Sequence, residues 1–518
     1  MHLKAGKTGF GVLVAIVLAL GIYFRFVNLD LKVYWVDETF TSLRISGYTM
    51  ADFARETLNG RILTQEDLYR FQHLSPEKTV VDTVKALATE APEHPPFYYV
   101  LVRYWVKFWG DSVAVTRSFS AVVSLLSFPA IYGLCWELFE SRGDGDRSRF
   151  ENPVGWMAIA LIAVSPLHIL YAQEAREYTL WIVMVLLSNA AFLRAIRLNT
   201  ALSWILYAIA LTAGFYTYPF TAFVAFGHGI YLAILERLRF NKTSISYLLA
   251  SGAVILAFAP WLWVLTQNFN QASWRTESVS FLSLISGWMV NLSRVFIDIS
   301  ANVENPLLGL PIVALVTYSI YCLYRHTPQR VWLFILILIG VTPLALVVPD
   351  VLNGGIRSLT PRYLILSYLG IQIVVAFCFC FQCKNGLPPQ RSNRIWRSIV
   401  AILIVVGILS GILSSQSKNW WNKDYYTSLY NLRAATSIEA TSTPLVISDN
   451  YTIVSLNYLL PERTAFQLIP VLPSISLPTQ FSDIFLYGVS PQLQSMLEND
   501  RNYRVEEIDN PLLSKIVK

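Results

Sequence analysis

A succession of long apolar runs limits this chain more than any motif does. A helix rising 1.5 Å per residue needs about 20 apolar residues to cross roughly 30 Å of hydrocarbon. Runs of that kind lie near 10–28, 113–139, 153–170, 178–193, 203–218, 219–235, 247–266, 307–325, 331–349, 363–383 and 398–416. They predict an all-α polytopic membrane protein with about eleven transmembrane helices. Only 14% of the residues are charged and 54% are hydrophobic, whereas a soluble domain carries about 25% charged residues. The mean hydropathy of +0.46 agrees. A water-soluble globule of this composition would expose much apolar surface. Gly, Pro and Cys at 25, 24 and 5 of 518 residues exclude a collagen-like repeat, a disordered chain and a disulfide scaffold.

The net charge of +6 matters less than where the charges sit. Alternate short loops hold Lys4, Lys7, Arg142, Arg147, Arg149, Arg194, Arg197, Arg237, Arg239, Lys242, Arg325, Arg330, Lys384, Arg391, Arg394 and Arg397, against Arg176, Arg357 and Arg362 in the opposite set. The positive-inside rule then predicts an integral plasma (inner) membrane protein with a cytoplasmic N-terminus and an exported C-terminus. The first apolar run is too long for a signal-peptide core and is not followed by a small-residue cleavage site, so it reads as a retained span. Pro96–Trp109 is apolar but interrupted by Arg103 and Lys107, which predicts an amphipathic or re-entrant helix rather than a span.

Three long segments fall on the exported side: Asp30 to about Pro95, about Gln267 to Pro306, and about Ser417 to Lys518. The expected division is a transmembrane domain over 1–416, which includes the exported loop 30–95, and an exported domain over 417–518. Strand-like runs at Pro444–Ser448 and Ile484–Tyr487 give that tail a small α/β character. All five Cys lie in or beside spans, so the exported parts carry no disulfide. The Cys378, Cys380, Cys383 cluster lacks a fourth ligand and reads as helix packing.

Ionisable groups beside apolar runs are the informative ones in such a chain, and four clusters face the exported side. Asp37 and Glu38 follow the first span; adjacent acids split in pKa and suit general-base work, while Asp37 also reads as a helix N-cap. Glu93-His94-Pro95-Pro96 fixes an acid and a His at the mouth of an apolar helix, as a cap or a proton-handling pair. His168 and the run Gln173-Glu174-Ala175-Arg176-Glu177-Tyr178 load a short turn between two spans, with Glu174 expected to share a helix face with Glu177 or Tyr178. Arg357, Arg362 and Tyr363 stand before the tenth run, suited to phosphate contact or to interfacial anchoring. Together they suit a lipid-phosphate substrate at headgroup level, with a carboxylate as general base and arginines stabilising a departing phosphate.

The ordered set of Trp35-Val36-Asp37-Glu38, Glu93-His94-Pro95-Pro96, the Ser165–Leu180 segment and Thr360-Pro361-Arg362-Tyr363 resembles membrane glycosyltransferases of the GT-C class. The resemblance is to the superfamily of the protein O-mannosyltransferases and the lipid A aminoarabinose transferases, and it covers roughly residues 1–420. It implies transfer of a sugar from a polyprenyl-phosphate-linked donor, with inversion, on the non-cytoplasmic side. It implies Asp37 as catalytic base with Glu38 beside it. Glu174, Arg176, Arg362, Tyr363, Glu93 and His94 are the candidates for the donor phosphate and sugar. Some relatives hold a divalent metal and others do not; Glu93 and His94 are the only adjacent ligand-type pair, and no metal ligand set is assigned. The acceptor (lipid, glycan or protein) is left open, and nothing points to nucleic acid. The exported tail departs from the protein O-mannosyltransferases, which weakens the expectation of a protein acceptor. The alternative is a polytopic lipid or solute transporter or flippase. That reading expects ionisable groups on broken helices near the bilayer midplane, and an internal repeat that the sequence lacks.

Overall fold

In a computed structural model, residues 2–139, 152–267, 279–301, 305–385, 389–470, 480–499, 504–508 and 510–517, with 277 and 478, are described. Arg142, Arg147 and Arg149, and residues 268–276 of the second long segment, lie outside them. The chain divides into two compact units. The first comprises residues 1–27, 92–98 and 117–415; the second comprises 28–91, 99–116 and 416–518.

The first unit is helical. Among the described residues, seven helical stretches are long and apolar enough to cross a membrane: 113–139, 178–198, 242–267, 306–326, 329–353, 361–383 and 394–415. The first of them begins four residues before the unit does. A bent pair, Pro153–Ala163 with Pro166–Ala172, makes an eighth if taken as one span. Gly11–Phe26, Ala201–Thr217 and Thr221–Leu235 are shorter apolar helices that coincide with the remaining apolar runs, and Phe281–Ser293 is a further one. Among the described residues, length and composition alone identify seven or eight spans, and each of the eleven apolar runs lies on helix.

The bend of 63° in the broken pair has a local cause. Pro166 offers no N–H to continue the helix and forces Ser165 into an extended conformation (φ −64°, ψ 120°). The break leaves the carbonyls of the preceding turn without helical partners. Arg25, fully buried, supplies them: its guanidinium donates to Ile162 O at 3.0 Å and Ala163 O at 2.7 Å. Gly21 makes that approach possible, because a Cβ there would stand 2.4 Å from Ala163 O. Gln173, just past the second half of the pair, donates in turn to Phe24 O (2.7 Å) and Val27 O (2.9 Å). Each of the two segments thus satisfies the loose carbonyls of the other.

The second unit is built on one six-stranded sheet: β1 (Ile62–Leu63), β2 (Pro444–Ser448), β3 (Ala465–Leu468), β4 (Asp483–Tyr487), β5 (Arg504–Glu507) and β6 (Leu513–Val517), in the order β1-β3-β2-β4-β6-β5. β2 pairs in parallel with β3 and β4, and the remaining pairs are antiparallel. All five β2 residues are buried, as expected for a parallel strand covered on both faces. Leu445 and Ile447 face Leu493 and Leu497 on one side. Val446 faces the other, with Leu43, Phe53, Leu68 and Phe71 from the first long segment. The small α/β character read from the tail is present, and the edge strand β1 comes from residues 62–63.

Candidate active site

In the first unit the site is built around residues 173–177, a turn between helices Pro166–Ala172 and Tyr178–Leu198. Glu174 and Glu177 therefore do not share a helix face, contrary to the spacing expectation: the helix stops at Ala172 and restarts at Tyr178. Nor is the turn solvated. Gln173, Glu174, Arg176 and Glu177 are 3%, 1%, 4% and 0% exposed. Charges taken this far out of water must be compensated by partners.

The partner comes from the Glu93-His94-Pro95-Pro96 motif. His94 Nδ1 lies 2.8 Å from Glu177 Oε1, and Arg176 Nη2 lies 3.1 Å from His94 Nε2 and 3.4 Å from Glu177 Oε1. Arg176 Nη2 also lies 3.4 Å from His94 Nδ1, so the guanidinium sits against the imidazole ring rather than on one nitrogen. Burial alone would raise the Glu177 carboxyl. Arg176 and His94, with the hydrogen bond from His94, outweigh it and hold Glu177 at about 2. The loop before His94 is pinned by Trp261, whose indole N–H donates to Pro92 O at 2.9 Å. Glu93 is mostly exposed, with its carboxylate 3.9 Å from His94 Nε2.

Aromatic rings surround the turn. The Tyr178 ring lies 5.3 Å from Tyr171 and 6.0 Å from Tyr218, and Phe220 is 5.0 Å from Tyr363. Two guanidinium groups approach the Tyr178 ring, Arg176 at 5.8 Å and Arg362 at 5.7 Å, and Arg362 also lies 5.8 Å from the Tyr363 ring. Arg362 and Tyr363 sit on a short 3₁₀ turn, Pro361–Leu364, with Pro at its first position. Thus Arg176, Arg362, Tyr363, His94 and the Glu174 turn belong to one neighbourhood. His168 does not join the cluster and instead reaches Gln372 Oε1 at 2.8 Å. Arg357 lies 3.7 Å from Asp350.

Sequence reading passed over a second feature. A cavity of about 510 Å³ is lined by Ser283, Ser286, Asn291 and Arg294 with Leu282 and Leu359. Asn291 ties the helix Phe281–Ser293 to the turn before Arg362 by donating to Leu359 O at 2.8 Å. The rule that singled out the other clusters, an ionisable group beside an apolar run, applies equally to Arg294.

Glu93 and His94 do not fit a divalent-metal site in this arrangement. Both His94 nitrogens are engaged, and one faces a guanidinium, whose charge repels a dication. Among the described residues no three His, Cys, Asp or Glu side chains form a ligand group.

Asp37 and Glu38 lie in the second unit, in the first turn of the helix Val36–Ile45. The N-cap is Trp35, not Asp37, so the helix begins two residues earlier than that reading requires. The two neighbouring acids occupy opposite environments. Asp37 is partly exposed, whereas Glu38 is fully buried and accepts from Lys423 Nζ at 2.8 Å. Lys423 was invisible to sequence reading, since it is a single cation in a polar tail.

A family model of dolichyl-phosphate-mannose-protein mannosyltransferase matches residues 93–264, about a third of the chain. The matched segment includes His94, Glu174, Arg176 and Glu177. Two solved structures of ArnT from Cupriavidus metallidurans share the fold. The apo state aligns with a TM-score of 0.55 at 12% identity over 99% of this chain and 98% of that one. The state bound to undecaprenyl phosphate aligns with a TM-score of 0.52 at 13% identity over 98% of each. No curated protein matches the chain by sequence. At 12–13% identity these structures show that the chain has the ArnT fold, and the family model adds a match over residues 93–264. The family match is to a mannosyltransferase model and the shared fold is that of ArnT, neither of them a transporter's.

Proposed function

We propose that this enzyme transfers a sugar from a polyprenyl-phosphate-linked donor to an acceptor hydroxyl on the non-cytoplasmic side, with inversion, using Asp37 as general base. The observation that carries the donor assignment is the approach of Arg176 and Arg362 to one tyrosine ring. Guanidinium groups donate to phosphate oxygens in a planar fork, and two of them at one ring suit the phosphodiester of a prenyl-linked sugar, with Arg176 also held by Glu177. The aromatic rings suit the apolar face of a sugar. The ArnT structure bound to undecaprenyl phosphate supports a prenyl-phosphate carrier.

The reaction balances with this chain's own groups. The acceptor oxygen attacks the anomeric carbon from the face opposite the phosphate, and Asp37 takes the hydroxyl proton. The bond from the anomeric carbon to the phosphate oxygen breaks, and polyprenyl phosphate leaves as an anion stabilised by the arginines. Asp37 suits the base because it is the accessible member of the acid pair, while Glu38 is enclosed. The test is donor consumption by the purified chain in lipid vesicles. Synthetic undecaprenyl-phosphate hexoses and pentoses are offered with lipid and glycan acceptors, and released undecaprenyl phosphate is measured. Release by the wild type, an inverted anomeric configuration in the product, and loss of release in Asp37→Asn support the reading. Wild-type turnover in Asp37→Asn removes Asp37 from the chemistry.

A further inference from the structure

The helix that carries Asp37 is held from the far end of the chain. Lys423 is fully buried and donates to the fully buried Glu38 at 2.8 Å, across 385 residues of sequence. Three other contacts grip the same segment. Ser455 Oγ donates to Tyr34 O at 2.7 Å, Val33 N donates to Lys418 O at 2.9 Å, and the Tyr34 ring packs against Tyr458 at 4.8 Å. Lys423 is itself fixed: its N–H donates to Trp420 O at 3.0 Å, and its carbonyl accepts from Ser428 Oγ.

A buried ion pair is an expensive way to gain stability. Removing two charges from water costs about as much as their attraction returns, and apolar replacements are often as stable. What such a pair supplies is direction. An ammonium enclosed beside a carboxylate keeps that carboxylate in one orientation, and here the oriented residue directly precedes Thr39 and follows Asp37 on the first helical turn.

We infer that Lys423, from the C-terminal segment, is a positioning residue for the proposed base: through Glu38 it fixes the first turn that presents Asp37, so the tail is a working part of the catalytic unit. This rests on the reading of Asp37 given above. Glu38 then serves as the anchor of that turn rather than as a group that touches the sugar.

The experiment compares Lys423→Met, Lys423→Arg, Glu38→Gln and the double variant Glu38→Gln/Lys423→Met with wild type. Release of undecaprenyl phosphate from the undecaprenyl-phosphate sugar that the wild type consumes is followed, with thermal unfolding in detergent as the check on folding. Lys423→Met is expected to lower kcat about a hundredfold, the scale of a misplacement of about 1 Å at a reacting group, with KM for the donor unchanged. Lys423→Arg is expected to recover most of the rate. The double variant, an uncharged pair of similar volume, is expected to fold and to exceed Glu38→Gln alone. Four results overturn the inference: wild-type kcat in a folded Lys423→Met, a change confined to KM, no recovery in Lys423→Arg, or a double variant no better than Glu38→Gln. The last of these makes Glu38 itself catalytic. Should Lys423→Met fail to fold, the arginine and double variants still decide the matter. Turnover in Asp37→Asn would instead defeat the functional reading, so the two failures are separable.

Discussion

The turn at 173–177 and the helix at Val36–Ile45 solve the same problem in different ways. Each takes a carboxylate out of water. In the first unit, Glu177 is compensated by two groups at once, the adjacent Arg176 and His94. In the second unit, Glu38 is fully buried against Lys423, and its neighbour Asp37 is partly exposed. A network of donors around an anion suits the binding of a further anion. A buried pair beside a partly exposed acid suits orientation.

Removing the partly exposed acid is the strongest test of that contrast. Asp37→Asn is expected to lower donor consumption by about 10²–10⁴-fold, the range for a lost general base, while undecaprenyl phosphate still binds; loss of binding as well would place Asp37 in the network class. Glu177→Gln is next. It leaves Arg176 and His94 without their carboxylate and is expected to destabilise the protein by about 3 kcal/mol, read from thermal unfolding. Combined with Arg176→Met, it should cost less than the sum of the single changes, because the two groups act as one network. Because Glu177 is held at about 2, its stabilising contribution is complete above its ordinary pKa of 4.5 and is lost only as pH falls through about 2. An acid limb of the rate profile near neutrality is therefore not expected from Glu177.

Arg362→Ala is expected to weaken undecaprenyl phosphate binding about tenfold, equivalent to about 1.4 kcal/mol, measured by titration in vesicles. Unchanged affinity would move the phosphate elsewhere, with the cavity at Arg294 the next place to test.

The smallest effect belongs to an exposed pair, which marks how far burial matters. His73 and Asp111 are 2.9 Å apart and about a third exposed. The hydrogen bond to Asp111 raises His73, and that from His73 lowers Asp111. The contribution from His73 is present below its ordinary pKa and is lost as pH rises through the raised value. The contribution from Asp111 is lost as pH falls through the lowered one. The pair is thus worth most between about pH 4 and 6.5. Solvent screening holds it under about 1 kcal/mol. Asp111→Asn should lower the melting temperature at pH 5.5 and have little effect at pH 8.5.

The order of apolar runs and the position of every charged cluster were legible in the sequence, because hydrophobic length and the cost of charge near lipid are properties of local composition. The strands at 444–448 and 484–487 were legible for the same reason. Who compensates whom was not. Spacing put Glu174 and Glu177 on one helix face, yet the chain turns there and Glu177 meets His94, 83 residues away. Arg25 lies within the first apolar run and drew no attention there, yet it satisfies carbonyls freed by the break before Pro166. Lys423 carried no signal at all. A cation's partner is set by where two distant segments are brought together in space, and a single sequence records neither distance nor direction. The sequence by itself determined a polytopic membrane chain with acids and arginines gathered at a few turns. The tertiary structure alone decided which of those charges are buried against partners and which remain partly exposed, because only burial and contact separate the two.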